Sequence, residues 1–307
     1  MRIVLMGTPN FAVPSLEALI QGGYEVVGVF TQPDRPSGRG NRIQMSPVKE
    51  AALKHGIPVF QPVKIRRDGV EDLRNLNPDL CVTAAFGQIL SQEILDIPKL
   101  GTINVHASLL PRHRGSAPIN WAIMNGDAEI GVTTMMTSAG IDDGDMLLRR
   151  AMPRDPGKTC GEYTDILSVE GAQLLMETIR QLEDGSLVRS PQNEAEMTYD
   201  PMLKKEMGVL DLSKAGEDVA NRIMGLNPWP CASIAWKGEP LKLLRARAAE
   251  GQGQPGEVLK ASHRDGLLIA CGQGAVEILE LQSPGKRAMT AADWLAGHRI
   301  EVGEVLA

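Results

Sequence analysis

Aromatic residues make up only 4% of this 307-residue chain, and it holds just four cysteines. Cys81, Cys160, Cys231 and Cys271 lie far apart, so neither a disulfide framework nor a Cys-x-x-Cys zinc site is expected. The histidines form no HExxH pair, and His106 and His113 flank an Arg/Pro-rich turn, a poor ligand spacing. No apolar run approaches the roughly 20 residues that a membrane-spanning helix needs. The first strand-like run starts at once, with no charged leader, so a cleaved signal peptide is not expected. A net charge of −6 argues against wholesale binding of a phosphate backbone, while leaving a local basic patch open. These absences predict a cytoplasmic, metal-free protein with no membrane partner; a monomer is the expectation, on no particular feature of the sequence. A 43% hydrophobic and 23% charged composition excludes a disordered or fibrous chain.

At roughly 150 residues per domain, the length suggests two domains. Residues 2–6, 25–30, 59–60, 80–85, 102–105, 132–136 and 146–151 read as strands. Helical spacing occupies 11–21, 70–76 and 94–97, and Ser46-Pro47 opens a further helix as N-cap and first helical residue. Thr159 and Glu162 fit a capping box for a long helix reaching Glu183. Strands alternating with helices predict the α/β class, with a doubly wound, mostly parallel, Rossmann-like sheet. After Pro191 the pattern changes. Residues 193–207 are polar and read as linker or peripheral helix, and short strands then recur at 233–236, 241–246, 256–261, 267–270 and 276–281. That rhythm predicts a small β-barrel or sandwich. The expected division is a catalytic domain over 1–190, a linker over 191–207 and a second domain over 208–307.

The first βα turn, Gly7-Thr8-Pro9-Asn10, lacks the GxGxxG pattern, which disfavours a nicotinamide enzyme. A stronger signal is Asn104 with His106, two residues apart at the end of a strand and therefore on one face. An amide donor beside an imidazole suits stabilising an oxyanion and moving a proton. Spacing alone leaves open that Asn104 merely ends the strand and His106 bonds locally. Asp142-Asp143-Gly144-Asp145 lies in a glycine-flanked loop, where a carboxylate could orient His106; an acidic turn is the simpler alternative. Residues 31–42 form a long Gly/Pro-rich loop carrying Arg35, Arg39 and Arg42 against one acid, Asp34. Such a loop suits a clamp on a phosphate-bearing partner, or is a solvated surface loop.

Together these residues resemble the formyltransferase family. Its signature matches Asn104-Val105-His106, then Ser108-Leu109-Leu110-Pro111 and Arg112-His113-Arg114-Gly115. Its Asp-x-Gly loop matches Asp142-Asp143-Gly144, and the Gln-Pro-Asp-Arg-Pro-x-Gly-Arg-Gly loop of members acting on tRNA matches Gln32 to Gly40. Asn227-Pro228-Trp229-Pro230 is similar to the family's junction with a C-terminal OB-like barrel. The resemblance spans essentially the whole chain. It implies formyl transfer from 10-formyltetrahydrofolate to the α-amine of methionyl-initiator tRNA, with Asn104, His106 and Asp142 catalytic. It further implies that Phe86, Gly87, Gln88, Ile89 and Leu90, with Ser108, Leu109, Leu110 and Pro111, bind the folate. Three positions depart from the family pattern: Ala107, His113 and Asp143.

By the same resemblance the C-terminal domain would contact the acceptor stem. Residues 204–307 are less acidic than the rest without being basic, so contact requires cations gathered on one face. Lys237, Lys242, Arg245, Arg247, Lys286 and Arg287 are the candidates, with scattered solubilising charge as their alternative. Relatives that formylate a nucleotide-linked amino sugar or glycinamide ribotide share the Asn-x-His and Asp-x-Gly motifs but are not expected to carry the arginine loop. A non-catalytic tRNA- or folate-binding module is the rival outside enzymes, and the intact Asn104, His106 and Asp142 set argues against it.

Overall fold

The computed structural model describes residues 1–37 and 42–306. In chain order its strands and helices begin with β1 (Arg2–Gly7), α1 (Val13–Gln21), β2 (Glu25–Phe30), β3 (Arg35–Ser37), β4 (Arg42–Gln44), α2 (Pro47–Lys54) and β5 (Val59–Phe60). There follow α3 (Ile65–Asp68), α4 (Val70–Leu76), β6 (Leu80–Ala84), α5 (Gln92–Leu95), β7 (Thr102–His106), β8 (Arg114–Gly115) and α6 (Pro118–Met124). Next come β9 (Glu129–Met136), β10 (Met146–Pro153), α7 (Cys160–Asp184) and β11 (Tyr199–Asp200). The chain ends with α8 (Gly216–Gly225), β12 (Ala232–Trp236), β13 (Glu239–Ala249), β14 (Val258–Ser262), β15 (Gly266–Ala270), β16 (Ala275–Gln282), β17 (Met289–Thr290) and α9 (Ala291–Gly297). Two compact units divide it: residues 1–115, 131–152 and 164–199, and residues 116–130, 153–163 and 200–307.

The first unit is built on a seven-stranded sheet in the order β10-β9-β7-β6-β1-β2-β5. From β5 to β7 the neighbours are parallel, and β9 runs antiparallel to β7. Strand β6 is buried along its whole length, as its almost continuous apolar run predicts for a parallel sheet covered on both faces. On one face Val4, Met6 and Cys81 pack with Ile65, Val70, Leu73, Ile94 and Leu95 from α3, α4 and α5. Helix α7 lies close on β7: a Cβ at Gly171 would stand 2.7 Å from the Val105 side chain, so only glycine permits that approach. Parallel strands send their C-terminal ends to one edge, and β1, β6 and β7 therefore deliver Gly7, Ala84 and His106 side by side.

In the second unit β12-β13-β16-β15-β14 pair in that order, with β17 on β16. Every pairing in this sheet is antiparallel. The β12–β13 turn places Lys237 and Gly238 at φ 51° and 79°, the left-handed pair that a tight hairpin requires. Helix α8 buries Val219, Ala220 and Ile223, and the chain just past it Leu226, in a core shared with Ile278 and Leu281 of the sheet and with Trp294. Neither α6 nor α8 was expected from the sequence, and nor was the β3–β4 pair within the arginine loop. Among the described residues no helix is long and apolar enough to cross a membrane.

The capping box opening α7 forms as expected. The Thr159 amide donates to Glu162 Oε2 at 2.8 Å, and the Glu162 amide to Thr159 Oγ1 at 3.4 Å. Arg245 stands 2.7 Å from the same carboxylate and, with the Thr159 amide, holds the Glu162 carboxyl down at about 2. A carboxyl depressed on folding adds stability above its unfolded range, near 4.5, and loses it as pH falls toward 2. Glu162→Gln is therefore expected to flatten the pH dependence of the unfolding midpoint between about pH 4.5 and 2, read by circular dichroism. An unchanged slope would mean that this carboxylate gains nothing from its partners.

Candidate active site

Asn104 and His106 close β7, on one side of the strand. On the neighbouring strand Thr83 is the register partner of Asn104, and its hydroxyl donates to Asn104 Oδ1 at 2.9 Å. That bond fixes the amide: the oxygen faces β6 and Nδ2 faces the strand end. There Nδ2 lies 3.5 Å from Asp142 Oδ1. His106 Nε2 lies 2.9 Å from the His113 carbonyl oxygen. A carbonyl only accepts, so Nε2 carries the proton and a neutral ring leaves Nδ1 as a lone pair. Nδ1 points toward Asp142, 3.7 Å from Oδ1, which is within ion-pair reach but longer than an ordinary hydrogen bond. The imidazole is 7% exposed and the carboxylate 20%, so water screens the pair only in part.

Asp142 reaches this position from a constrained loop. Its backbone sits at φ 50°, and its Oδ2 accepts the Gly115 amide at 2.9 Å. Two residues on, a Cβ at Gly144 would lie 1.9 Å from the Met136 carbonyl oxygen, so the loop demands glycine there. Asp143 turns away and accepts the Ser138 hydroxyl. His113 is buried at φ 62°, and its carbonyl sets the tautomer of His106. The two histidines whose spacing suits no metal site are thus neighbours through that carbonyl. Among the described residues no three His, Cys, Asp or Glu side chains gather as a metal cluster.

The other expected positions divide. Phe86 and Leu90 are core residues, Ile89 is 67% exposed, and Gln88 is held by the Ile65 amide and the Pro62 carbonyl. Gln32 donates to the carbonyls of Phe86 and Gly87 at 3.3 and 3.0 Å, tying the root of the arginine loop to this segment. Lys49 and Gln61 hold Asp34 at the same root. Ser108, Leu110 and Pro111 are buried and Leu109 partly so. Thr133 pins their turn by bonding the Ser108 carbonyl and the Leu110 amide. Arg35 is exposed on β3, Arg42 lies on β4, and Arg39 falls outside the described residues. In the second unit Arg245 is engaged by Glu162 and Glu280, and Arg247 by Glu277. Lys242, Lys286 and Arg287 are exposed, and Lys237 lies 4.5 Å over the Trp236 ring. Sequence reasoning missed Thr83, Gln192 and Thr198, all of which touch the site's framework.

The family model for formyl transferase matches residues 1–179, and that for the formyl transferase C-terminal domain matches residues 202–299. The chain belongs to the formyl transferase family. It is 51% identical over 307 residues to the methionyl-tRNA formyltransferase of Geotalea uraniireducens, covering 100% of this chain and 98% of that protein. It is 49% identical over 310 residues to the methionyl-tRNA formyltransferase of Acetivibrio thermocellus, covering 100% and 99%. Among solved structures it resembles WlaRD, a sugar 3N-formyl transferase, with a TM-score of 0.68, 18% identity, and coverage of 94% of this chain and 99% of that one. It also resembles HypX from Aquifex aeolicus in complex with tetrahydrofolic acid, with a TM-score of 0.61, 21% identity, and coverage of 96% and 47%. At those identities the two structures share the fold alone. The Rossmann-like sheet followed by a domain of antiparallel strands is the architecture of this family.

Proposed function

We propose that this protein transfers the formyl group of 10-formyltetrahydrofolate to the α-amine of methionyl-initiator tRNA. The observation that carries the reading is the convergence of the Asn104 amide, the His106 imidazole and the Asp142 carboxylate within 4 Å at the C-terminal edge of the sheet. Full-length similarity to proteins named methionyl-tRNA formyltransferase supports the choice of acceptor. The folate supplies a formyl group activated on nitrogen. The neutral amine attacks its carbon; a carbon–nitrogen bond forms, the bond to the folate nitrogen breaks, and one proton passes from the amine to that nitrogen.

Negative charge develops meanwhile on the formyl oxygen. Asn104 Nδ2 faces the strand end because Thr83 occupies the amide oxygen, so it donates to that charge without reorganising. His106 already carries its Nε2 proton, and protonation at Nδ1 adds a second donor. Asp142, 3.7 Å from Nδ1, stabilises the imidazolium and relays the amine's proton through water. The segment over residues 86–90, leaving β6 beside β7, takes the pteridine, with Ile89 as an exposed apolar face. The Ser108–Pro111 turn, which follows β7, is assigned to the same folate site. Catalysis is assigned to residues 1–190 and tRNA binding to 208–307, with residues 191–199 packed in the first unit and 116–130 and 153–163 in the second. Arg35, Arg39 and Arg42 engage the acceptor end, and Lys237, Lys242, Lys286 and Arg287 the stem.

The test compares acceptors with 10-formyltetrahydrofolate as donor: methionylated initiator tRNA, an amino-sugar nucleotide and glycinamide ribotide. Formylmethionyl-tRNA is the expected product, and a preference for either small acceptor would sink the reading. Arg39→Ala is expected to raise KM for charged tRNA and to reduce the salt slope of tRNA binding by about one unit, leaving folate affinity unchanged. An equal loss of folate affinity would place the loop over the folate.

A further inference from the structure

Asp142 and the carbonyl of His113 both stand on left-handed backbone, at φ 50° and 62°. Such conformations persist only where the surroundings over-determine them. The determinants come from one short stretch after α7. Gln192 Nε2 donates to the carbonyls of Asp142 at 2.7 Å and Gly144 at 2.8 Å, spanning the loop that presents the carboxylate. Its Oε1 accepts Arg114 Nε at 2.9 Å. Arg114 is 5% exposed, and its two remaining nitrogens grip Glu194 at 3.2 and 2.7 Å. Six residues beyond Gln192, Thr198 Oγ1 accepts the His113 amide at 2.7 Å, and the Thr198 carbonyl accepts the Arg114 amide at 3.0 Å.

We propose that residues 192–198 act as a brace for the catalytic pair, with Gln192 and Thr198 as positioning residues. Gln192 fixes the loop of Asp142. Thr198 fixes the turn whose carbonyl keeps the proton of His106 on Nε2 and so leaves Nδ1 facing the carboxylate. Arg114 joins the two halves: its side chain orients Gln192, and its backbone is held by Thr198. One stretch therefore sets both members of a pair that lie 36 residues apart in sequence, Asp142 and His106. Neither brace residue touches the reacting atoms. The inference rests on the functional reading above for its kinetic arm alone.

Two near-isosteric variants test it. Gln192→Met keeps the length of the side chain and removes both donors; Thr198→Val removes the hydroxyl that accepts the His113 amide. Active sites are counted by binding of 5-formyltetrahydrofolate, so any unfolded fraction drops out. Per site, Gln192→Met is expected to lower kcat about 10- to 100-fold with KM for folate and charged tRNA within twofold, because a displaced catalytic group loses rate without losing substrate contacts. In Thr198→Val, ¹⁵N NMR of the His106 ring is expected to change from a single Nε2–H tautomer to a mixture. Unchanged kcat per site in Gln192→Met, a loss matched by both KM values, or an unaltered His106 tautomer in Thr198→Val overturns the brace. If the wild-type protein failed to formylate methionyl-tRNA, the functional reading would fall, and the NMR arm would still decide the brace.

Discussion

His106→Ala is expected to lower kcat for formyl transfer by about 100- to 1000-fold while binding of 5-formyltetrahydrofolate persists. The magnitude follows from what the side chain supplies. Its Nε2 proton is committed to the His113 carbonyl, and its Nδ1 alone can gain and lose a proton beside Asp142. On the proposed mechanism, alanine removes that proton site and one of the two donors to the formyl oxygen. It leaves Asn104 in place, whose orientation depends on Thr83 rather than on the imidazole. Residual turnover above the uncatalysed rate is thus expected, and Asn104→Ala combined with His106→Ala should remove most of it. Losses of residues acting as a unit are not additive, so the double variant should fall short of the product of the single effects. Asp142→Ala should approach the rate of His106→Ala, because it removes both the charge beside the imidazole and the water-borne proton relay assigned to the carboxylate. Near-wild-type kcat in His106→Ala, with folate sites fully counted, would remove the imidazole from the chemistry.

Much of this arrangement is legible in the residues themselves, and the part that is not has a physical reason. Strand β6 announces itself as an apolar run interrupted only by Thr83, and the Asn104/His106 spacing puts both side chains on one face without further information. The α7 start is readable because Thr159 and Glu162 are a local capping pair, three residues apart. Helix α8 escapes because its segment, Gly-Glu-Asp-Val-Ala-Asn-Arg-Ile-Met-Gly, is polar and glycine-bounded, and its apolar face becomes sense only against the β-sheet core. Helix α6 follows a signature turn and begins at Pro118, which punctuation reads as loop. The brace is invisible for a different reason. Gln192 bonds the Asp142 and Gly144 carbonyls and the Arg114 side chain, and Thr198 the His113 amide, all far away in sequence, and such bonds leave no period. A stretch that reads as polar linker thus holds the groups that fix Asp142 and His113.

The largest stability effect is expected in the second unit, at Trp294. Its ring is 1% exposed, meets Trp236 edge-on at 4.7 Å between centroids, and lies flat on the His298 ring at 4.3 Å. Its Nε1 donates to the Ser283 hydroxyl at 2.8 Å, so the indole is satisfied at its polar tip as well as packed on its faces. Trp294→Ala opens a cavity in the cluster that also contains Val219, Ile223, Leu267 and Ile278, and should cost about 3–5 kcal/mol. With a urea dependence of roughly 1–3 kcal/mol per molar, the midpoint should fall by one to several molar. The measurement is selective, because Trp121, Trp229, Trp236 and Trp294 all belong to the second unit, and tryptophan emission reports on it alone. The first unit has its own core around Val4, Met6, Phe30 and Cys81 and should keep its folate site at urea concentrations that unfold the variant's second unit. In that window turnover of methionyl-tRNA should collapse while 5-formyltetrahydrofolate still binds. A tryptophan transition within about 1 kcal/mol of wild type would show that the ring cluster packs against solvent-relaxed space rather than a filled core. Parallel loss of folate binding would show instead that the two cores melt as one.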